Sequence, residues 1–186
     1  MEDKEKLDII DSQIRECFGR VVWTHKTHEK CADILNANNN NLKLTQIILS
    51  AIVTTGIIAQ FCSDSIYTQI FTAIISLLLL ILNTYLKKYD FGKHAQKHAE
   101  TAIELWNIRE LYLSLITDIR TNALNINQIA QRRDELQNTL CTLYKGAPRS
   151  FSKAYAQASA ALKVNEEYTF SKEEINEFLP DELKKL

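Results

Sequence analysis

The four histidines are the residues whose type and spacing come closest to a metal site. His25 and His28 lie three positions apart and His94 and His98 four apart, spacings that place two side chains on one helix face. Two such pairs on neighbouring helices can hold a zinc ion. No carboxylate joins them in an HExxH arrangement, and each histidine fits equally well as a hydrogen-bonded packing residue. The histidines are candidate metal ligands, and packing is the simpler interpretation.

Other patterns that carry catalysis are missing. The sequence contains no P-loop, no Rossmann glycine pattern, no GxSxG motif and no kinase signature. The four cysteines form no CxxC pair and are interpreted as reduced thiols: they are Cys17, Cys31, Cys62 and Cys141. A formal net charge of -1 gives no basic bias towards nucleic acid. We therefore predict no enzymatic activity, no cofactor and no direct nucleic-acid binding.

Two apolar segments dominate the middle of the chain. Residues 44–63 and 65–86 contain no charged side chain, and each is long enough to cross about 30 Å of hydrocarbon as a helix. Because only the turn Ser63-Asp64-Ser65 joins them, they are expected to form an antiparallel transmembrane hairpin. The alternative is a hairpin buried in a soluble bundle. It is disfavoured because residues 77–82 are uniformly apolar and leave no polar face.

The lysines around the hairpin predict its orientation. Lys43 precedes the first span and Lys87 and Lys88 follow the second, whereas the connecting turn has no basic residue. Because cytoplasmic flanks are enriched in lysine and arginine, both termini are expected to be cytoplasmic. The predicted topology is a protein that spans the membrane twice.

Uncharged polar residues form one stripe on each predicted span. Helical periodicity groups Gln46, Ser50, Thr54 and Gln60 on the first span, and Thr68, Thr72, Ser76 and Asn83 on the second. These stripes suit two purposes. They can line an aqueous path when several hairpins assemble, or they can hydrogen-bond and pack helices together within the membrane. A coupled-ion carrier is not expected, because neither span contains Asp, Glu, Lys, Arg or His.

Long helices are predicted on both sides of the hairpin. Apolar and small residues recur every seven positions from Leu7 through Ile14 to Val21, a coiled-coil-like seam. Residues 36–41 read NANNNN and are either a hinge or part of a continuous helix. After the second span no signal stops the helix. Its apolar edge is predicted to comprise Gly92, Ala95, Ala99, Ala102, Trp106, Leu113 and Ile116.

The remaining sequence completes an all-α fold. A further helix should stop at residues 146–148, a short alanine-rich helix should follow at 152–162, and Ser171 with Glu174 matches a capping box. The acidic segment 166–186 is interpreted as a solvated tail or as a docking site for a basic partner. The predicted domains are an N-terminal cytoplasmic helix (1–41), the hairpin (42–88), cytoplasmic helical arms that form a bundle (89–146), and C-terminal helices with the acidic tail (147–186).

The order of these features resembles a known family. The stretch THKTHEKCADIL at 24–35, an asparagine-rich join, two spans, and KHAQKHAETAIELWNIRELYLSLITDI at 93–119 together resemble the SLATT family, the SMODS and SLOG associating two-transmembrane effector domains. The resemblance is strongest to the branch linked to reverse transcriptases. It provides no catalytic motif, so no active-site residue is transferred.

The resemblance implies a bacterial membrane effector of a conflict or anti-phage system. Such an effector is expected to form homo-oligomers in the lipid bilayer and to permeabilise it after a partner senses infection. The expected partner is encoded nearby, as a nucleotide-signal enzyme or a reverse transcriptase system. The alternative function is a membrane-anchored helical scaffold or regulator that opens no pore.

Overall fold

A computed structural model describes residues 2–62 and 65–184 of the chain. These residues contain helices and no strand, which confirms the all-α prediction. The elements are α1 (Glu2–Gln60), α2 (Ile66–Lys88), α3 (Phe91–Arg120), α4 (Ile126–Gly146), α5 (Ser152–Lys163), α6 (Lys172–Phe178) and a short 3₁₀ turn (Asp181–Leu183). The predicted turn residues Ser63 and Asp64 lie outside the described residues. So do Met1, Lys185 and Leu186, at the ends of the predicted terminal domains.

Helix α1 is continuous from the N-terminal arm through the first span. At 1.5 Å per residue it is about 90 Å long, and the asparagine-rich stretch at 36–41 is helical throughout. Of the two predicted alternatives, the continuous helix is the one observed. Packing explains why poor helix formers stay helical here. The side chain of Asn39 lies against Gly92 of α3, with its amide nitrogen 3.6 Å from the position that a Cβ on Gly92 would take.

A helix break occurs instead after the second span, where an unbroken helix was predicted. α2 ends at Lys88 and α3 begins at Phe91. The carboxylate of Asp90 accepts a hydrogen bond from the backbone N–H of Lys93 at 2.9 Å, which makes Asp90 the N-cap of α3. The prediction failed because it looked for glycine or proline and overlooked this capping residue.

The arms pack into a bundle in which α3 runs antiparallel to α1 and α4 packs on both. Its core contains the predicted α1 seam residues Ile14 and Val21, both fully buried. The predicted face of α3 was partly wrong. Ala95 and Ala102 are buried as expected, but Trp106 and Leu113 are largely exposed. The core positions are instead Leu105, Ile108, Tyr112, Leu115 and Ile119.

The C-terminal helices follow the sequence signals. α4 ends at Gly146, and α5 packs on α1 through its buried face of Ala154, Ala158 and Ala161. α6 begins with the predicted capping box, in which the Ser171 hydroxyl accepts from the backbone N–H of Glu174 and the Glu174 carboxylate accepts from that of Ser171. No residue of α6 is buried.

Candidate functional site: the polar edge of the hairpin

The two apolar helices α1 and α2 are in contact along the predicted spans. They lie close together at Gly56, where a Cβ would overlap the hydroxyl of Thr72 on α2. Thr72 is the one described α2 residue that is buried. Its hydroxyl donates to the Thr68 carbonyl at 2.8 Å, so the side chain is fixed against the helix. A glycine facing a small residue allows two membrane helices to pack closely.

The predicted polar stripes are divided by this contact. Thr72 is buried in the seam between the helices, and Thr68 is half-buried there. On α1, Gln46, Ser50 and Gln60 are half-buried. The exposed members are Thr54, Ser76 and Asn83. The two predicted stripes thus separate into residues that pack the hairpin and residues that face outward.

The exposed Thr54, Ser76 and Asn83, together with the half-buried Ser50, lie on one side of the hairpin. Ser50, Thr54, Ser76 and Asn83 each come one position after a half-buried apolar residue: Leu49, Val53, Ile75 and Leu82. In two antiparallel helices, the residues that directly follow seam residues lie on the same side of the pair in both helices. The four residues therefore form a single band, which we name the polar edge.

Hydrogen bonding leaves the polar edge free to take new partners. The hydroxyl of Thr54 donates to the Ser50 carbonyl at 2.9 Å, within its own helix. Thr55, on the other side of α1, bonds to Ala51 in the same way. Among the described residues no hydrogen bond joins α1 to α2, so this hairpin is held by close packing. Each hydroxyl oxygen retains acceptor capacity for water or for a neighbouring hairpin.

Charged and aromatic residues mark the ends of the spans. Lys43, Lys87 and Lys88 are exposed at the end nearest the bundle. Tyr85 and Tyr89 lie in contact there, with ring centroids 5.0 Å apart. Amphipathic tyrosine rings favour the boundary between hydrocarbon and headgroups.

The apolar surface of the spans is uncovered in the isolated chain. Two helical stretches are long and apolar enough to cross a membrane. None of the most apolar window of the first is buried, and only 6% of that of the second. The core helix of a soluble protein is mostly buried, so the soluble-bundle alternative is disfavoured. Two apolar helical stretches with so little burial favour a membrane protein over a soluble one.

The structure brings together one histidine from each predicted pair. The Nδ1 atoms of His28 and His98 are 3.1 Å apart at the buried contact between α1 and α3. Burial, with the charges of His98 and His25, lowers the pKa of His28 to about 4. Burial also lowers the pKa of His98. Both rings are therefore neutral at pH 7, and one Nδ1–H donates to the other Nδ1.

The other two histidines are placed elsewhere. The Nε2 of His25 faces the carboxylate of Glu29 at 3.4 Å, and His94 is exposed. Within the described parts of the chain, no group of three or more histidine, cysteine or acidic side chains is arranged to hold a metal ion. His28 and His98 thus pair in the α1–α3 contact, and His25 pairs with Glu29.

Sequence reasoning missed a charged and aromatic cluster beside these histidines. Glu167 and Tyr168, in the segment between α5 and α6, reach across to Lys26 and Glu29 of α1. Burial lowers the pKa of Lys26, but its hydrogen bonds to Glu167 and Glu29 outweigh burial and raise the pKa overall. The hydrogen bond from His25 is the largest cause of the lowered pKa of Glu29. The only sequence signal was charge complementarity between the acidic segment and α1.

Comparison with known proteins gives one result. No curated protein and no solved structure matches the chain. A family described as SMODS and SLOG-associating 2TM effector domain family 4 matches residues 10–174. The match covers the arm, both spans and the bundle, and the paired spans described above agree with a two-transmembrane domain. The chain therefore belongs to the SMODS and SLOG-associating 2TM effector domain family 4, and it is a membrane effector domain.

Proposed function

We propose that this effector permeabilises the bacterial inner membrane when several copies of its hairpin assemble with their polar edges facing a common path. The observation that carries the proposal is the position of Ser50, Thr54, Ser76 and Asn83, which form one uncharged polar band along one side of a largely apolar surface. In lipid, such a band is stabilised by water or by another hairpin.

One hairpin is too small to enclose water, so the proposed path requires homo-oligomers. Gly56 and Thr72 keep the two helices of each hairpin together, and the polar edge is left for contacts between copies. Uncharged hydroxyl and amide groups conduct without the strong ion binding that a ring of carboxylates imposes. We expect leakage with little discrimination between small ions.

The resting state is expected to have both termini in the cytoplasm, because the exposed Lys43, Lys87 and Lys88 all lie at the bundle end of the spans. The bundle then faces the compartment in which infection is sensed. The family description names an association with SMODS and SLOG proteins. We propose that a partner of this kind, acting within a conflict system, triggers assembly.

The test is dye release from vesicles that contain the purified protein. Ser76→Leu should abolish release, because apolar constrictions in a narrow path exclude water. Ile74→Leu, at a residue 53% exposed and away from the polar edge, should leave release unchanged. Insertion and oligomer size are measured in parallel.

Two results would reject the proposal. Unchanged release by a correctly inserted, assembled Ser76→Leu variant would show that the polar edge does not line the path. Vesicles that stay sealed even when the parent protein is assembled would favour the membrane-anchored scaffold.

A further inference from the structure

The segment that joins α5 to α6 has a backbone that must be held in place. Glu166 and Tyr168 adopt positive φ angles of 52° and 79°. Residues with a Cβ rarely adopt this region, and Tyr168 is bulky. Contacts elsewhere must offset the free energy that this conformation costs. Glu167 and Tyr168 make those contacts, and we call this pair the clasp.

Tyr168 binds through both its ring and its hydroxyl. The ring stacks on His25, with centroids 5.5 Å apart and planes 7° from parallel. The hydroxyl donates to the Glu29 carboxylate at 2.5 Å. Lys26 and Arg109 lie over the ring at 4.5 Å and 4.9 Å from its centroid. Each of these interactions is favourable for a tyrosine in particular.

Glu167 provides a second carboxylate for the buried ammonium group of Lys26. Its carboxylate lies 2.5 Å from the Nζ of Lys26, which is itself buried. The other carboxylate near that ammonium is Glu29, at 2.9 Å, and Glu29 is shared with His25 and Tyr168. Loss of Glu167 would leave a buried lysine with one shared acid, which is unfavourable.

The receiving surface belongs to two helices. His25, Lys26 and Glu29 come from α1 and Arg109 from α3; we call these four residues the notch. Beside the notch the two helices leave a cleft of about 660 Å³. Its floor is made of Ala32, Ala99 and Ala102. Tyr168 also lines this cleft, so the clasp lies at its edge.

We propose that the notch is a recognition site for an acidic-aromatic segment, filled in the resting protein by its own Glu167 and Tyr168, and that this contact restrains assembly. With the clasp in place, α1 and α3 keep their present packing and the hairpins stay apart. Release of the clasp loosens the α1–α3 contact next to the cleft and lets copies associate. The effect of clasp release on the membrane rests on the proposed function. Clasp release and assembly are measured independently of it, by proteolysis and by crosslinking.

The clasp adjoins a part of the chain that is open to a partner. α6 follows within a few residues, has no buried residue, and exposes Phe178 at 78%. The family match ends at residue 174, so most of α6 lies beyond it. A protein that binds and moves α6 would displace Tyr168 from the notch, because only a few residues separate them.

The experiment compares the parent, Tyr168→Ala, Tyr168→Phe and Phe170→Ala in vesicles. Trypsin cleavage at Lys163 or Lys172, which flank the clasp, reports its release, and chemical crosslinking reports assembly. Tyr168→Ala should be cleaved about tenfold faster than the parent, because proteolysis follows the population of the open form, and should crosslink into more oligomer. Tyr168→Phe keeps the ring but loses the hydrogen bond to Glu29, so it should be intermediate. Phe170, in the same segment, is 61% exposed, so Phe170→Ala should match the parent.

The outcomes separate this inference from the proposed function. Parent-like cleavage of Tyr168→Ala overturns it, and so does faster cleavage without more oligomer. Faster cleavage with more oligomer, in vesicles that remain sealed, supports the clasp and rejects permeabilisation. Equal dye release by parent and Tyr168→Ala, with assembly unchanged, rejects the clasp alone.

Discussion

At the scale of single residues, the buried histidine pair is the feature most sensitive to conditions. His28 and His98 are both almost fully buried, and their Nδ1 atoms share one hydrogen bond. An additional proton on this neutral pair would place a positive charge in the α1–α3 contact, and the pair itself has no acid to balance it. The pair therefore stabilises the bundle only while it remains neutral.

The first prediction is acid destabilisation caused by His28. Its pKa is lowered from 6.5 to about 4 in the folded state. Between these values the unfolded chain binds more protons, so the free energy of unfolding decreases as the pH falls, by about 2 kcal/mol between pH 7 and pH 5. Thermal unfolding in detergent at several pH values measures this. His28→Gln should flatten the dependence and His94→Gln, at an exposed position, should not. An equal slope in parent and His28→Gln would contradict the assignment.

Sequence reasoning reached the chemistry of these residues only in part. Spacing predicted one pair on each helix and allowed the two pairs to meet; His28 and His98 do meet, whereas His94 is exposed. The structure joins His28 to His98 across two helices, because the antiparallel register of α1 and α3 brings them level. Lys26 and Tyr168 are more than a hundred positions apart, and no periodicity links such residues. Their cluster was therefore out of reach of the sequence.

At the scale of helices, the hairpin depends on one close contact. The position of Gly56 against Thr72 fixes how near α1 and α2 approach. Because the Thr72 hydroxyl is bonded to its own helix, it cannot move aside without losing that bond. Ala51 and Thr55, two other small residues of the first span, face outward. The sequence predicted that small residues pack the two spans together. The orientation of α1 about its axis determines that Gly56 makes the contact.

The second prediction is that Gly56→Ala weakens the hairpin whereas Gly19→Ala does not. A methyl group at residue 56 overlaps Thr72, and overpacking of this kind costs about 1–3 kcal/mol. A methyl group at residue 19 would have nothing within 4 Å, so Gly19→Ala should stabilise its helix by about 0.5–1 kcal/mol. Unfolding in sodium dodecyl sulfate, followed by circular dichroism, distinguishes them. Parent-like stability of Gly56→Ala would argue against close packing.

The packing face of α3 differs in part from the predicted one. On α3 the sequence offers two apolar arcs, and alanine spacing favoured the one with Trp106 and Leu113. The core instead takes Leu105 and Tyr112, which are fully buried against α1 and α4. Tertiary packing selected this arc, which buries two large side chains. A single sequence contains both arcs and no partner to choose between them.

At the scale of the whole molecule, one antiparallel register runs from the membrane to the bundle. Gly56 lies opposite Thr72, Asn39 beside Gly92, and His28 beside His98. The long continuous α1 therefore connects the clasp and the spans mechanically. A change in α1–α3 packing at the notch would be transmitted towards the hairpin without any flexible joint within α1. The link to a reverse transcriptase stays a prediction at this scale, since it concerns the neighbourhood of the gene.

The central claim is that the polar edge, and not the rest of the span surface, meets water when the effector is active. Thr54 and Thr55 provide a matched pair, because both are exposed threonines whose hydroxyls bond within α1. Thr54 belongs to the polar edge, and Thr55 faces the opposite side.

The most direct measurement is the reaction of cysteines at these two positions with a membrane-impermeant thiol reagent. Thr54→Cys and Thr55→Cys are made in a background in which all four native cysteines are serine, and are assayed in leaking vesicles. We expect that Thr54→Cys reacts and that its modification blocks dye release, while Thr55→Cys stays unmodified in lipid. Equal reaction at both positions, or continued leakage through a fully modified Thr54→Cys variant, would contradict the claim.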